Sequence, residues 1–305
     1  MTGSLVVFSL LRLLSGDIAS IMLGTSARPE SVAALRADLG LDQPWLVQYL
    51  EWLGGLARGD LGTSYGSQYD IAGEISARLG VTVTLAIVSM VVSGVCALVA
   101  GTYAAMYARN ARGEMVNIFM QLGVALPTFW VGLLLIGFFS IELGWLPAGG
   151  YVPWSESALG AVKSLILPSV ALAVPLAAVF TRYVRSAMLE VLSEDYIHTA
   201  MAKGRTLGGA VLTHGIRNAS LSLVTVGTLQ LGGLIAGAVV VENVFTLPGL
   251  GSLLISALNG REALVVQSVV FVILLIVLAL NFAMDVSYGL LDPRIRAAET
   301  RGTYG

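Results

Sequence analysis

Apolar residues along this chain gather into long uncharged stretches that charged residues separate. Five of these stretches are close to the roughly 20 residues that a helix needs to cross a bilayer, and we predict that each is a transmembrane helix: residues 81–108, 115–141, 164–181, 218–241 and 263–284. A shorter apolar run, residues 1–14, carries Arg12 and lacks the basic leader and cleavage site of a signal peptide. We interpret it as part of a first span whose beginning is missing or lies upstream. The pattern predicts an all-α integral membrane protein with six transmembrane helices, the first incomplete at its N-terminus.

The segment after the first span is long enough to need structure of its own. A helix-start proline at Pro29 and a helix-stop glycine at Gly40 predict one short helix. Pro44 opens a second, amphipathic helix, and one of its faces carries Trp45, Tyr49, Leu53 and Leu56. This second helix either lies at the level of the lipid headgroups or packs as a cap on the outer ends of the spans.

A polar, glycine-punctuated segment, residues 194–225, lies between the fourth and fifth spans. Residues at helical spacing predict one short helix with a mixed small and apolar face, made of Tyr196, Thr199, Ala200, Lys203 and Leu207. Gly204 and the pair Gly208–Gly209 predict a sharp turn before a second short stretch that ends in His214 and Arg217. A helix-turn-helix at a membrane surface is a docking shape, although an ordinary interfacial loop would also join two spans.

Composition and charge place the chain in a membrane and orient it there. Hydrophobic residues make up 56% of the chain and charged residues 12%, with a mean hydropathy of +0.83, which excludes a soluble domain. Ten of the 17 basic residues fall in one set of loops, at Arg109, Arg112, Arg182, Arg185, Lys203, Arg205, Arg217, Arg294, Arg296 and Arg301. The positive-inside rule makes that side cytoplasmic, with both termini and residues 194–225. The net charge of −2 gives no footprint for nucleic acid.

Several strings of residues together resemble one transporter family. In chain order they are LGLDQPWLVQYLEWLGGLARGDLGTS at residues 39–64, LPTFWVGLLL at 126–135, VVVENVFTLPGLG at 239–251 and YGLLDPRIR at 288–296. They are similar to the dipeptide and oligopeptide (DppB/OppB-type) permease subunits of ABC importers. Residues 198–204 resemble the "EAA" coupling loop of such permeases, with Gly204 as its glycine and His198, Thr199 and Ala200 at the E-A-A positions. The chain departs from the family where Ser15 replaces a proline and where Ser222 stands at a position that is commonly proline.

The resemblance implies a type I ABC importer permease fold and a set of partners. The expected partners are a second homologous permease subunit forming a heterodimer, two cytoplasmic ATPase subunits, an extracytoplasmic peptide-binding protein, the peptide substrate and the lipid bilayer. The chain has no G-x-x-x-x-G-K-[ST] phosphate loop, so it is expected to bind no cofactor and not to be an enzyme by itself, with ATP and Mg held by the ATPase subunits. The residues expected to contact the ATPases are Asp195, Tyr196, His198, Thr199, Ala200, Lys203, Gly204 and Leu207.

Proline, glycine and polar residues near the span centres and ends supply candidates for the solute path. Bilayer helices tolerate proline only where neighbours satisfy the freed carbonyl groups, and glycines spaced as Gly233 and Gly237 permit close helix contact. A glutamine within a span bonds another helix more often than it lines a solute path. Glu242, just beyond the fifth span, either contacts a peptide amine or makes a structural contact with a neighbouring loop. The candidates are Gln121, Pro127, Trp130, Gln230, Gly233 and Glu242.

The sequence leaves three alternatives to the hypothesis that the chain imports di- or oligopeptides by alternating access. Permeases for nickel chelates or glutathione-like peptides share the scaffold. A stand-alone channel or secondary carrier is disfavoured because paired acidic residues are missing from the spans. Residues 62–66 match the G-x-S-x-G of serine hydrolases around Ser64, but His198 and His214 are predicted across the membrane from it. Cys96, the lone cysteine, is interpreted as a core-filling residue.

The predicted organisation follows the spans. Residues 1–15 are a partial first transmembrane helix, residues 16–79 an extracytoplasmic segment with short amphipathic helices, and residues 80–290 a five-helix permease core with a cytoplasmic coupling loop at 186–217. Residues 291–305 are a cytoplasmic tail. The expected location is the bacterial cytoplasmic (inner) membrane.

Overall fold

The structure is a computed structural model that describes residues 2–15, 19–20, 28–38 and 40–291. Its named α-helices are α1 (Thr2–Ser15), α2 (Pro29–Asp38), α3 (Trp45–Ala57), α4 (Ile71–Met106), α5 (Ala111–Ala125), α6 (Thr128–Leu135), α7 (Ala158–Leu192), α8 (Asp195–Ala202), α9 (Leu207–Ala210), α10 (Ile216–Val244), α11 (Leu250–Asn259) and α12 (Ala263–Leu291). Two π-helical segments, Ile136–Glu142 and Val211–Gly215, continue α6 and α9. The all-α prediction is confirmed.

Candidate membrane spans lie at all five positions that the apolar stretches predict. Among the described residues, α4, α7, α10 and α12 are each long and apolar enough to cross a bilayer, and α5 with α6 supplies a fifth span as a bent pair. Helix α1 has 14 residues, fewer than the roughly 20 that a span needs. The sixth transmembrane helix therefore remains a prediction.

The third span is broken rather than continuous, which corrects the predicted single helix over residues 115–141. Leu126 has extended backbone angles, Pro127 follows it as the cap of α6, and the two halves are inclined by 105°. The α conformation is disfavoured for a residue before proline because the proline ring clashes with it. Pro127 thus caps the second of two helices, whereas the sequence predicted a proline inside one continuous span.

All four unbroken spans are longer than their uncharged stretches, and the difference is largest for α4 and α7. Helix α4 starts at Ile71, well before the predicted start of the span at Val81. Its first turns carry an ion pair in which a guanidinium nitrogen of Arg78 lies 2.6 Å from a carboxylate oxygen of Glu74. Helix α7 runs for 35 residues through Pro168 and Pro175. Charged residues lie within both extensions, and in α4 two of them pair at helical spacing, so a search for uncharged stretches misses these extensions.

The chain forms two compact units. The first comprises residues 1–82 and 248–276, and its core is built around Ile71, Leu250 and Val265. Aromatic residues join its short helices: Phe8 of α1 packs edge-on against Tyr49 of α3 at 5.5 Å, and Ser4 shares a hydrogen bond with the Tyr49 hydroxyl. Packing against α1 is therefore the role observed for the Tyr49 face of the amphipathic helix.

The second unit comprises residues 83–247 and 277–305 and is organised around α7. Helix α7 packs against α10, α5 and α6, and α10 also packs against α6. Of the most apolar stretch of α7, 67% is buried, against 28%, 39% and 28% for α4, α10 and α12. Helix α7 is thus the core of this unit, while the other spans keep large apolar faces exposed.

Candidate functional site

The predicted docking helix exists as α8 and is anchored by one side chain. Ile197 is fully buried and packs with Val191 of α7 and Ala210 of α9. Ala200 and Leu207 complete this cluster from its edge. Asp195 in the first turn of α8 complements the positive end of the helix dipole. The short helix is therefore fixed to the body of the unit and does not hang as a loose loop.

Gly204 ends α8 in a left-handed turn. Its φ of +87° is a conformation that L side chains rarely adopt. The Gly204 N–H donates to the Met201 carbonyl at 2.9 Å, and the Arg205 N–H donates to the Ala200 carbonyl at 3.2 Å. These two bonds are those of a Schellman motif, which satisfies carbonyls left over at a helix end. The sharp turn predicted at Gly204 is confirmed.

Two details of the predicted helix-turn-helix are wrong. Gly208 and Gly209 do not form a turn, because both lie inside α9, where the Thr206 hydroxyl caps the helix by accepting from the Gly209 N–H at 3.2 Å. Leu207 belongs to α9 and is not part of the predicted first helix, which ends at Ala202. The side chains of His214 and Arg217 lie outside the described residues.

A concave surface of about 400 Å³ opens beside α8. It is lined by Tyr196, Thr199, Ala200, Lys203 and Arg205. Arg205 is held in place by a hydrogen bond of 2.6 Å to the Thr213 hydroxyl, which itself donates to the Gly209 carbonyl. Asp195, His198 and Gly204 are exposed nearby but do not line the surface. The arrangement offers a partner a small, partly cationic and internally braced concavity.

The six candidates for a solute path differ in their surroundings. Gln121 lines a cavity between α5 and α7, together with Thr181 and Arg185 of α7. Trp130, in contrast, is 44% exposed on α6. Pro127 and Gly233 are exposed, and Gln230 is half-buried. Glu242 is fully buried inside the unit, which favours its structural interpretation over contact with a solute. The sequence did not point to Thr181 and Arg185, which line the cavity beside Gln121. Arg185 served only to predict the orientation of the chain in the membrane.

Ser64 of the G-x-S-x-G string is a structural residue of the first unit. It is fully buried, and its hydroxyl donates to the Glu262 carboxylate at 2.8 Å while accepting from the Ser67 N–H at 3.0 Å. The string lies in the loop before α4, not at the strand-to-helix turn that a nucleophile needs. Burial raises the pKa of neighbouring Tyr69, and the Glu262 and Glu74 carboxylates raise it further, against smaller lowering effects of Arg78 and Ser64.

The chain matches two family models that together cover nearly all of it. Residues 97–297 match the binding-protein-dependent transport system inner membrane component, and residues 1–86 match the N-terminal part of such membrane components. The di/tripeptide transport system permease protein DppB of Pseudomonas aeruginosa is 38% identical over 96% of this chain and 94% of its own length. The glutathione transport system permease protein GsiC of Escherichia coli O6:H1 is 38% identical over 96% of this chain and 93% of its own.

A solved structure shares the fold. The MetNI methionine ABC transporter in inward-facing conformations matches 72% of this chain and 96% of the solved chain, with a TM-score of 0.58 and 21% sequence identity. This similarity establishes the type I importer permease fold. With the family matches, it makes the chain a multi-pass inner membrane protein and a permease component of an ABC importer. The chain belongs to the family of binding-protein-dependent transport system inner membrane components.

Proposed function

We propose that this chain is one of two permease subunits in an ATP-driven importer of di- or oligopeptides. The observation that carries the proposal is the braced α8 turn at Gly204, at the position of the coupling loop, in a chain 38% identical to a di/tripeptide permease. The second permease subunit would supply the other half of the solute path. The peptide would arrive from an extracytoplasmic binding protein.

In this proposal α8 binds a groove on an ATPase subunit. Tyr196, Thr199 and Lys203 would contact the ATPase, because they face the concave surface while Ile197 holds the helix from behind. A helix transmits a displacement only if its anchor and its end are both fixed, and the Ile197 cluster and the Schellman motif fix them. ATP and Mg would bind to the ATPase subunits alone.

The basic residues of the loops support an orientation with both termini and α8 in the cytoplasm. Lys203 and Arg205 are exposed beside α8, at a surface where anionic lipid and acidic protein surfaces attract positive charge. The first unit would then carry the outer helices α2 and α3.

Glutathione-like peptides are a second candidate substrate class, since the GsiC relative is described as a glutathione permease at the same 38% identity. A dipeptide and glutathione differ in length and charge, and the binding protein outside the membrane would make much of that distinction.

Uptake by the reconstituted complex tests the proposal. The chain, its partner permease and both ATPases are placed in vesicles with the binding protein, and entry of labelled dialanine or glutathione is measured with and without ATP. We expect ATP-dependent uptake of one of them, none when the ATPases are omitted, and a loss of uptake with retained ATPase activity when Gly204 is replaced by a bulky residue. Uptake by the chain alone, without ATPases, would instead establish a channel or carrier.

A further inference from the structure

A cavity of about 170 Å³ lies between α5 and α7 in the second unit. A single buried water needs about 10–15 Å³ by the same kind of measure, so the α5–α7 cavity has room for a considerably larger group. Its polar lining residues are Asn117, Gln121, Thr181, Arg182 and Arg185. Met120 and Val124 give it an apolar side. The cavity therefore combines two guanidinium groups, two amides and a hydroxyl with a hydrophobic wall.

Polar atoms of this cavity lack partners within the chain. Thr181 is 2% exposed, and its Oγ1 is buried without a hydrogen-bond partner among the described residues, as is Nε of Arg185. None of the lining residues is acidic, and no ion pair of the described residues involves Arg182 or Arg185. Buried polar groups in folded proteins are nearly always paired, and an uncompensated charge in a low-dielectric site is costly. The Arg182 side chain is exposed and the Arg185 side chain is half-buried, so a partner for Thr181 Oγ1 and Arg185 Nε can approach from outside this chain.

The arrangement suits a carboxylate next to an amide. Arg182 and Arg185 lie one turn apart on α7, and the Arg182 guanidinium is held 5.3 Å from the centre of the Tyr183 ring. Guanidinium groups bind carboxylates through paired hydrogen bonds. Asn117 and Gln121 lie one turn apart on α5 and supply both donors and acceptors, which match a peptide group.

The cavity lies towards the α8 end of its span. Arg185 is seven residues before the end of α7 at Leu192, and α8 follows directly. In the proposed orientation this is the cytoplasmic end, where a solute is last held before release.

We infer that the α5–α7 cavity binds the carboxylate of the transported solute, with Arg182 and Arg185 as its anion ligands and Thr181 as a hydroxyl donor. The amides of Asn117 and Gln121 contact the adjacent peptide group. This inference rests on the proposed function and adds a recognition site within the membrane chain, independent of the external binding protein.

Protection of a cysteine in the cavity tests this inference. The complete complex carries Val124→Cys and Cys96→Ser in this chain and is placed in inside-out vesicles without the binding protein. The rate of maleimide labelling of this chain is measured in the presence of trialanine or of trialanine amide. We expect trialanine to slow labelling and its amide to have little effect. Arg185→Gln should raise the half-protecting concentration about tenfold or more, as loss of a charge-assisted hydrogen bond does. Arg112→Gln, an exposed arginine of α5 outside the cavity, is the matched charge control, and a cysteine at exposed Asn110 controls for labelling itself.

The outcomes separate the possible occupants. Equal protection by trialanine and its amide overturns carboxylate recognition, as does protection that survives Arg185→Gln and Arg182→Gln. A phospholipid phosphate offers the same oxyanion chemistry, so protection that requires phosphatidylglycerol vesicles and ignores peptide overturns the solute assignment in favour of a lipid. ATP-driven peptide uptake is measured on the same complexes. If wild-type uptake is normal but the cavity is unprotected, this inference alone fails, whereas absent uptake contradicts the proposed function itself.

Discussion

The structure requires glycine at position 204 because of its backbone conformation, and not because a side chain there would clash with neighbouring atoms. A Cβ built on it meets nothing within 4 Å, while its φ is +87°. A left-handed conformation costs an L-residue about 1–2 kcal/mol, less for asparagine. We expect Gly204→Val to loosen the end of α8 and uncouple ATP hydrolysis from transport, and Gly204→Asn to retain most coupling. Hydrogen exchange of the α8 amides and ATP-driven uptake measure the two effects. Equal loss of coupling with both variants and unchanged exchange would mean that the ATPase surface excludes any side chain at this position.

Ser64 holds the outer loop of the first unit to the start of α12. Its hydroxyl donates to Glu262 Oε1, and the Gly66 N–H donates to the same oxygen at 3.2 Å, while Oε2 is buried without a partner among the described residues. A hydrogen bond to a charged group contributes about 1.5–3 kcal/mol. We expect Ser64→Ala to destabilise the loop by about that amount, measured as faster proteolysis within residues 59–70.

Ser67→Ala is the control for this change, since the exposed Ser67 contributes its backbone N–H and not its side chain to the Ser64 contact. Fluorophosphonate labelling of Ser64 in the folded protein would contradict the structural role and revive a nucleophilic one.

Residue-level prediction from the sequence succeeded where neighbours along the chain decide the structure. The Gly204 turn is of this kind, because a glycine after a periodic helical run is a local signal. The α5–α7 cavity could not be predicted, because its polar groups come from helices whose contacts depend on packing across the unit. Thr181 and Arg185 look like ordinary span-end residues until α5 is placed beside them.

Close helix contact is the main feature at the scale of elements. Gly101 of α4 lies against α7: a Cβ there would come within 2.7 Å of the Val184 side chain and 3.0 Å of the Thr181 carbonyl oxygen. Overpacking of this kind costs about 1–3 kcal/mol. We therefore expect Gly101→Ala to lower the thermal unfolding temperature of the purified protein.

Gly94 of the same helix provides the matched control. A Cβ at Gly94 meets nothing within 4 Å, and alanine is the better helix former by up to about 1 kcal/mol. Gly94→Ala should leave the unfolding temperature unchanged or raise it. A comparable fall with both variants would show that helix contact at Gly101 is not the cause.

The sequence predicts which elements cross the membrane better than it predicts where they end. Five apolar runs suffice to place the spans, because length and hydropathy set that requirement. The early start of α4 at Ile71 includes the charged Glu74–Arg78 pair, and the 105° break at Pro127 is an angle between two half-helices. Hydropathy alone predicts neither how far a helix extends through charged residues nor the angle between two half-helices.

For the whole molecule, the proposed orientation makes a direct prediction about accessibility. Glu51 of α3 and Met201 of α8 are both exposed. Cys96, the only cysteine, is exposed on α4 as well, so its interpretation as a core-filling residue is wrong. In a Cys96→Ser background, a membrane-impermeant maleimide should label Glu51→Cys in intact cells and label Met201→Cys only after permeabilisation, since the proposed orientation places the two residues on opposite sides of the membrane. Labelling of Met201→Cys in intact cells would reverse the orientation and remove the basis for ATPase docking.

The length of α7 has a mechanical consequence. Its 35 residues, at about 1.5 Å each, span about 50 Å, whereas the hydrocarbon core is about 30 Å thick. The helix continues unbroken to Leu192, and α8 begins three residues later at Asp195, so a tilt of α7 within the bilayer would move the start of α8. A tilt of about 10° about the helix midpoint would displace its end by about 4 Å over an arm of about 25 Å. If α8 binds an ATPase as proposed, the length of α7 would convert a small tilt in the membrane into a displacement of several ångströms at the ATPase.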